Sequence, residues 1–436
     1  MPSQPDPATS LRVYFGGRLR SWRQLRGWTQ RELGQQLGYD HTHLSKVESG
    51  HRRPPPDLPA RADELLGTGG ELAELWPLLD RERLRDEASG GSTGGSTGDG
   101  AGWDAGAGTL PAGPPDAHAL SQMELLLQAY AGAGSELGGR DLVAAVEHHT
   151  RTVVQWQADG TGRDDTVLLG LAARYAQLAG WVCFDGSDCG RAMFWYRTGQ
   201  HLATLAGEPD VASWLLSRQG TIHWATGNAA GAVTLGVMAR QVGGICPSVE
   251  ALARLVEARG HALTGDQRAC EATLAVAADL VDADTRAAPA AGEQRVPGLA
   301  DEVMPLVVGT CYRDLAVRAR RPQLAVRAIE PITHSLASVA ARARRDRAVV
   351  AIRLASAHEC ADQPEEAAAV LGDVVQRVAV RGSARVLTQL RTVHDRLSSR
   401  WPDLGAVREV TARMEASQLL AAGAPGGGPG TPAATG

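Results

Sequence analysis

Apolar residues recur at helical spacing along most of this chain. Near its start, Phe15, Leu19 and Trp22 fall at i, i+4 and i+7, and Leu25 continues close to that stripe. The pattern predicts one helix with an inward face, ended by Gly27. Thr29-Gln-Arg-Glu32 is a capping-box pattern that opens a second helix, with Leu33 and Leu37 turned to the core and Gly38 as its stop. Asp40 is placed to cap a third helix, whose inward residues are Leu44 and Val47, and Gly50 closes it. Two short helices joined by a tight Gly-Tyr-Asp turn, behind a first helix, make a helix-turn-helix. Leu58, Ala62, Leu65 and Leu66 form one further helical face. Leu72, Leu75, Trp76 and Leu79 form another, beyond the Gly67–Gly70 break.

From about residue 118 to 415 the pattern reads as helix after helix. Thr166–Val182, Val211–Ala225, Val249–Leu263 and Arg347–Cys360 all repeat apolar residues at spacings of three and four. Short polar or glycine-containing breaks follow them. With Gly186, Gly227, Gly265, Arg320 and Asp362 as markers, the breaks are 41, 38, 55 and 42 residues apart. The long interval carries a loop insertion, residues 285–298, without which it would be near 41. Two antiparallel helices repeated about every 40 residues are the pattern of an α-solenoid. Residues 381–391 look like the closing helix of such an array. The expected fold is therefore all-α.

Composition sharpens the division into parts. Aromatics are 4% of the 436 residues, which suits cores of Leu, Ala and Val and argues against a β-sandwich or propeller. Residues 88–117 hold eight glycines between Gly91 and Gly108. Such a stretch cannot bury enough surface to offset its ordering entropy, so it reads as a linker. Residues 416–436 read as a disordered tail. Residues 1–10 read as a flexible arm, and between these three stretches lie a compact N-terminal module, 11–87, and the helical-repeat body, 118–415.

Charge is distributed unevenly. The formal net charge is −5, yet residues 11–53 carry nine basic and three acidic side chains, leaving a +6 segment on a −11 remainder. A basic cluster at one end is what a local polyanion-binding module looks like. Lys46 is the only lysine in the chain. The six cysteines form no CxxC pair and no zinc-ligand spacing, so they read as buried thiols, and no metal or cofactor is expected. The polar, proline-containing first ten residues do not resemble a signal peptide, and no run of 18 apolar residues occurs. A cytoplasmic protein without a membrane partner is expected. No Gly-rich phosphate loop, HExxH or G-x-S-x-G is present, so no enzyme is expected.

The residues Thr29-Gln30…Glu32-Leu33-Gly34…Leu37-Gly38…Leu44-Ser45-Lys46-Val47-Glu48-Ser49-Gly50 resemble the phage-repressor (Cro/C1, or XRE) family of DNA-binding domains. With the helical body, whose turns resemble a tetratricopeptide-type (TPR-like) array, the chain is similar to actinobacterial XRE-type regulators. The body's repeat departs from the usual 34 residues. The resemblance implies a five-helix, lambda-repressor-like domain whose third helix enters the major groove of double-stranded DNA. It places His41 and Thr42 where the family reads bases, although His41 departs from the glutamine common there. It makes Gln30 the residue that binds phosphate and braces the reading helix. It also implies a structural ion pair between a first-helix arginine and the glutamate near the end of the third helix, by position Arg20 and Glu48.

The chemistry of the segment agrees with that resemblance. Ser45 and Lys46 join His41 and Thr42 as donors to base edges. Arg52 and Arg53 follow the third helix as phosphate contacts, with Arg18, Arg23 and Arg31 as further candidates. Reading enough base pairs calls for two copies on adjacent half-sites, hence a homodimer. The other reading of the chain is an interaction scaffold whose helix-turn-helix docks protein instead of DNA.

Within the body, the scarce aromatics concentrate at Trp181, Trp195, Tyr196, Trp214 and Trp224, with Arg174, Arg191, Arg197 and Arg218 nearby. Core packing is one reading. An aromatic-lined pocket for a small-molecule or peptide effector, its arginines facing an acidic group, is the other.

Overall fold

A computed structural model describes residues 15–16, 19–20, 22–24, 26–66, 72–73, 76, 117–159, 165–286, 296–377 and 383–419. All regular structure among these residues is helical, with no strand. Residues 88–116 of the expected linker 88–117 and 420–436 of the expected tail 416–436 lie outside the described residues, as does most of the expected insertion at 285–298. The edges of both differ from expectation: Ala117 begins a helix, Ala416 ends one, and Leu419 is buried in the core of the last helices because it packs on their apolar faces.

The helices are α1 Gln30–Leu37, α2 His41–Glu48, α3 Leu58–Leu66, α4 Ala117–Leu137, α5 Val143–Asp159, α6 Asp165–Asp185, α7 Cys189–Ala206 and α8 Pro209–Ala225. They continue as α9 Ala229–Arg240, α10 Pro247–Thr264, α11 Gln267–Arg286, α12 Met304–Ala319, α13 Pro322–Ser338, α14 Arg344–Cys360, α15 Pro364–Arg377, α16 Ala384–Arg400 and α17 Gly405–Ala416. Helical backbone also occupies the described positions between 15 and 24. The chain forms two compact units. One gathers the described residues within 1–126, 147–176 and 193–207, and the other those within 127–146, 177–192 and 208–436.

In the first unit, the N-terminal module closes over Phe15, Leu19, Leu33, Leu37, Leu44, Val47, Leu58, Ala62, Leu66 and Leu72, all fully buried. Each lies on an inward stripe read from the sequence. Backbones approach so closely here that side chains are excluded. A Cβ on Gly16 would sit 2.2 Å from the Val47 carbonyl oxygen, and one on Gly34 would sit 2.7 Å from that of Tyr39.

In the second unit, the breaks read from the sequence are turns between paired helices. Gly227 and Gly265 adopt positive φ, and so do Arg320 and Asp362. α8 packs on α9, α10 on α11, α12 on α13 and α14 on α15, while α8, α10, α12, α14 and α16 form a row in which each of the first four also meets the next. α9 and α10 come close because a Cβ on Gly236 would meet the Glu257 amide nitrogen at 2.6 Å, and one on Gly260 the Val233 amide nitrogen at 2.8 Å. The end of the body differs from the expected single closing helix. α16 is followed by α17, and Leu390, Val393, Val407 and Val410 share a core with Ile352 and Leu371.

Thr166–Asp185 is long and apolar enough to cross a membrane, with a mean hydropathy of 1.4, but 78% of that window is buried inside the protein. Its apolar length therefore serves packing.

At the end of α6, the Asp185 side chain is fully buried against Arg345, itself 8% exposed. Asp185 accepts from Arg345 Nε at 2.8 Å and from its Nη2, from Ser383 Oγ at 2.8 Å, and from the Gly139 amide at 2.9 Å. One carboxylate thus ties together segments far apart in the chain. Removing one partner of a buried pair strands the other charge, which costs about 3–5 kcal/mol. Asp185→Ala should accordingly lower the second unit's stability by about 3–5 kcal/mol in a denaturant titration. An unchanged midpoint would show that the half-buried Asp346, 2.7 Å from Arg345 Nη1, is partner enough for Arg345.

Candidate nucleic-acid interface

Local chemistry sets both helices of the turn. Thr29 Oγ1 accepts from the Glu32 amide at 3.2 Å, and Glu32 Oε2 accepts from the Thr29 amide at 2.7 Å. This is the reciprocal capping box expected at the start of α1. Gly38, at φ 79°, ends the helix, and Asp40 Oδ1 accepts from the His43 amide at 2.7 Å to begin α2. These amide bonds hold the Glu32 and Asp40 carboxyls below the usual range, the backbone bond being the main cause for each.

The orientation of α2 is fixed from its far end. Glu48, 2% exposed, accepts from Arg23 Nε at 2.6 Å, Arg23 Nη2 at 2.9 Å and Gln30 Nε2 at 2.7 Å. Arg23 also donates to the Trp28 carbonyl at 2.8 Å. The first helical stretch, the loop before α1, the start of α1 and the end of α2 are therefore joined at one carboxylate.

This arrangement corrects two expectations. The arginine paired with Glu48 is Arg23, not Arg20, because Arg23 lies on the side of the first helical stretch that faces α2. Arg23 is consequently 7% exposed and sits in the core of the module, not on a face that meets phosphate. Arg20 is half-buried. Gln30 keeps the bracing role through Glu48.

The remaining expected contacts divide by exposure. His41, Thr42 and Lys46 are exposed on α2, and Ser45 is half-buried. Arg31 and Arg52 are exposed, the Arg52 amide donating to the Lys46 carbonyl at 2.9 Å. Arg53 is half-buried with its guanidinium carbon 4.9 Å from the Trp76 ring centre, so it is partly engaged in packing. Arg18 lies outside the described residues. His43 stacks on Tyr39 with ring centres 4.8 Å apart, and burial, assisted by Arg52, pushes its pKa down. Among the described residues no group of three or more His, Cys, Asp or Glu side chains is placed to hold a metal.

The expected effector residues fall into both units. In the first, Trp195 is buried and donates to Glu147 Oε1 at 2.9 Å, Tyr196 is buried, Arg197 is half-buried, and Arg174 lies 4.0 Å from Glu124. In the second, Trp181 packs over Gly134 with Arg345 5.3 Å from its ring centre, and Arg191 lies 3.8 Å from Asp188. Arg218 lies 5.6 Å from the Trp214 ring centre, and buried Trp224 donates to Asp314 Oδ2 at 2.9 Å. Trp195, Tyr196 and Trp224 are thus buried side chains. The acceptors of Trp195 and Trp224, Glu147 and Asp314, left no mark in the sequence pattern.

A family model described as a helix-turn-helix domain matches residues 15–76. The N-terminal module is a helix-turn-helix domain. The match ends where the described part of the module ends, and the helical body lies outside it. No curated protein and no solved structure matches the chain significantly.

Two outcomes follow from the helix-turn-helix geometry. Arg23→Ala leaves Glu48 buried without its cation and should destabilise the module by about 3–5 kcal/mol, read by chemical denaturation. Arg20→Ala leaves the Glu48 pair intact and should cost far less. The second outcome concerns acid. Folding lowers the Glu32 and Asp40 pKa values, so their stabilisation is full above the ordinary carboxylate range and is lost as pH falls through the lowered folded values. Combining Glu32→Gln with Asp40→Asn should weaken the module at neutral pH and flatten its acid-unfolding curve, followed by circular dichroism.

Proposed function

We propose that the protein is a sequence-specific, double-stranded DNA-binding transcriptional regulator of the Cro/C1 kind, and not an enzyme. The observation that carries this reading is the exposed row His41, Thr42 and Lys46 on a helix capped at one end by Asp40 and braced at the other by Glu48. Rigid support of this sort holds donors at fixed spacing, as base reading requires. In this reading α2 lies in the major groove. His41, Thr42, Ser45 and Lys46 meet base edges, and Arg31, Arg52 and the solvent-facing part of Arg53 meet phosphates.

The helical body is read as a TPR-like array that mediates homodimerisation, effector binding or both. The pairwise turns and the alternating row of α8, α10, α12, α14 and α16 support this reading. Two copies would place two reading helices on half-sites about 34 Å apart. A regulator of this kind acts in the cytoplasm, where it reaches DNA.

Genome-wide occupancy followed by gel-shift titration tests the proposal. A good base contact is worth about 1–3 kcal/mol, so Thr42→Ala and Lys46→Ala should each weaken operator binding about 5- to 150-fold with unchanged circular dichroism. Removal of a phosphate contact, as in Arg52→Ala, should weaken all sequences alike and reduce the salt slope by about 1. Operator binding unchanged by Thr42→Ala and Lys46→Ala would overturn the assignment of the reading helix. A monomer mass by light scattering, free and on DNA, would overturn the dimer.

A further inference from the structure

Four helices of the row, α8, α10, α12 and α14, contribute arginines that act on one another: Arg218 on Arg259, and Arg259 and Arg313 on Arg353. Trp224 stands among them. The guanidinium carbons of Arg259 and Arg353 lie 4.6 and 4.9 Å from its ring centre.

The acid that faces this cluster is already engaged. Asp314 gives one carboxylate oxygen to Arg313 at 2.8 Å and the other to Trp224 Nε1 at 2.9 Å. Arg259 is 9% exposed, and its buried Nε has no hydrogen-bond partner. The bond found for Arg353 is a long one, 3.3 Å to Thr310 Oγ1. Polar atoms on α8 are left unanswered as well, since Ser217 Oγ and Gln219 Nε2 are buried without partners. Burial and mutual repulsion depress both central arginines, Arg259 to about 10 and Arg353 well below its ordinary value.

Buried charges in proteins are ordinarily paired and hydrogen-bonded. Asp185 with Arg345 shows that this same unit builds such a pair when the purpose is structural. The cluster at Trp224 departs from that rule towards an excess of positive charge, because the one carboxylate acting on both Arg259 and Arg353 is Asp314, which is already bonded to Arg313 and Trp224. Stacking on one indole shared by two guanidinia does not supply a counter-charge. Planar guanidinium donors on several helices do, however, match the oxygens of a carboxylate or a phosphate.

We propose that Arg259 and Arg353, stacked on Trp224, bind with the neighbouring Arg218 a small organic anion bearing carboxylate or phosphate groups, and that this anion is the effector of the helical body. The second half of that statement rests on the regulator reading above. The first half does not.

The test is made on the full chain without DNA, by calorimetry and thermal melting. Citrate and pyrophosphate serve as probes, against sodium chloride at matched ionic strength. One-to-one binding with a melting temperature raised beyond the chloride control is expected for at least one probe. A response to citrate alone identifies a carboxylate ligand, and one to pyrophosphate alone a phosphate ligand. Arg353→Met should weaken binding at least tenfold while leaving the ligand-free melting temperature unchanged or higher, because it removes a desolvated like charge. Arg218→Gln, at a half-buried position, should weaken binding too, and it keeps the test decisive if Arg353→Met does not fold. Binding of neither anion beyond the chloride control would overturn the proposal. So would wild-type affinity in Arg218→Gln, which would leave the arginines a structural role. Operator binding is measured separately, so a failure here does not touch DNA recognition.

Discussion

The N-terminal module depends on one buried carboxylate. Glu48 lies at the end of α2, and its two oxygens receive Arg23 and Gln30. Arg23 in turn holds the Trp28 carbonyl. A helix of eight residues is too short to be stable or oriented by itself. Its direction therefore has to be imposed by tertiary contacts. Leu44 and Val47 bury one side of α2, Asp40 starts it, and the Glu48 network fixes its rotation. Exposure of His41, Thr42 and Lys46 is a consequence of that rotation.

The body uses the same device and then departs from it. Asp185 and Arg345 form a compensated pair, with Ser383 and the Gly139 amide as further donors to the carboxylate and Asp346 as a second acceptor for Arg345. Around Trp224 the arginines outnumber the acid that faces them. A buried charge without a partner is expensive, so two such different solutions within one unit imply different purposes. The first holds distant segments together. The second keeps a site in a state that an anion would relieve.

Much of this was legible in sequence. The apolar stripes of residues 15–66 named the core, and Thr29, Glu32, Gly38 and Asp40 named the helix ends, because caps and stripes are local effects. Gly227, Gly265, Arg320 and Asp362 marked real turns for the same reason. The choice between Arg20 and Arg23 was not legible. They are three residues apart on a helix, a difference of 60° in direction, and which one meets Glu48 depends on how the first helical stretch crosses α2. The reason for glycine at positions 16 and 34 was equally hidden, since only the approach of another backbone shows why no side chain fits there.

The sequence by itself determined the periodicity, the caps, the turns and the +6 charge of the first segment, all of which arise between residues close in the chain. Tertiary structure decided which charges meet. It brought Glu48 to Arg23, Arg345 to Asp185, and arginines from separate helices to Trp224. These pairings join residues from 25 to 160 positions apart, and no local pattern encodes them. They exist because packing of the apolar faces leaves each charged group a single place to go, and burial then makes its partner, or the lack of one, matter.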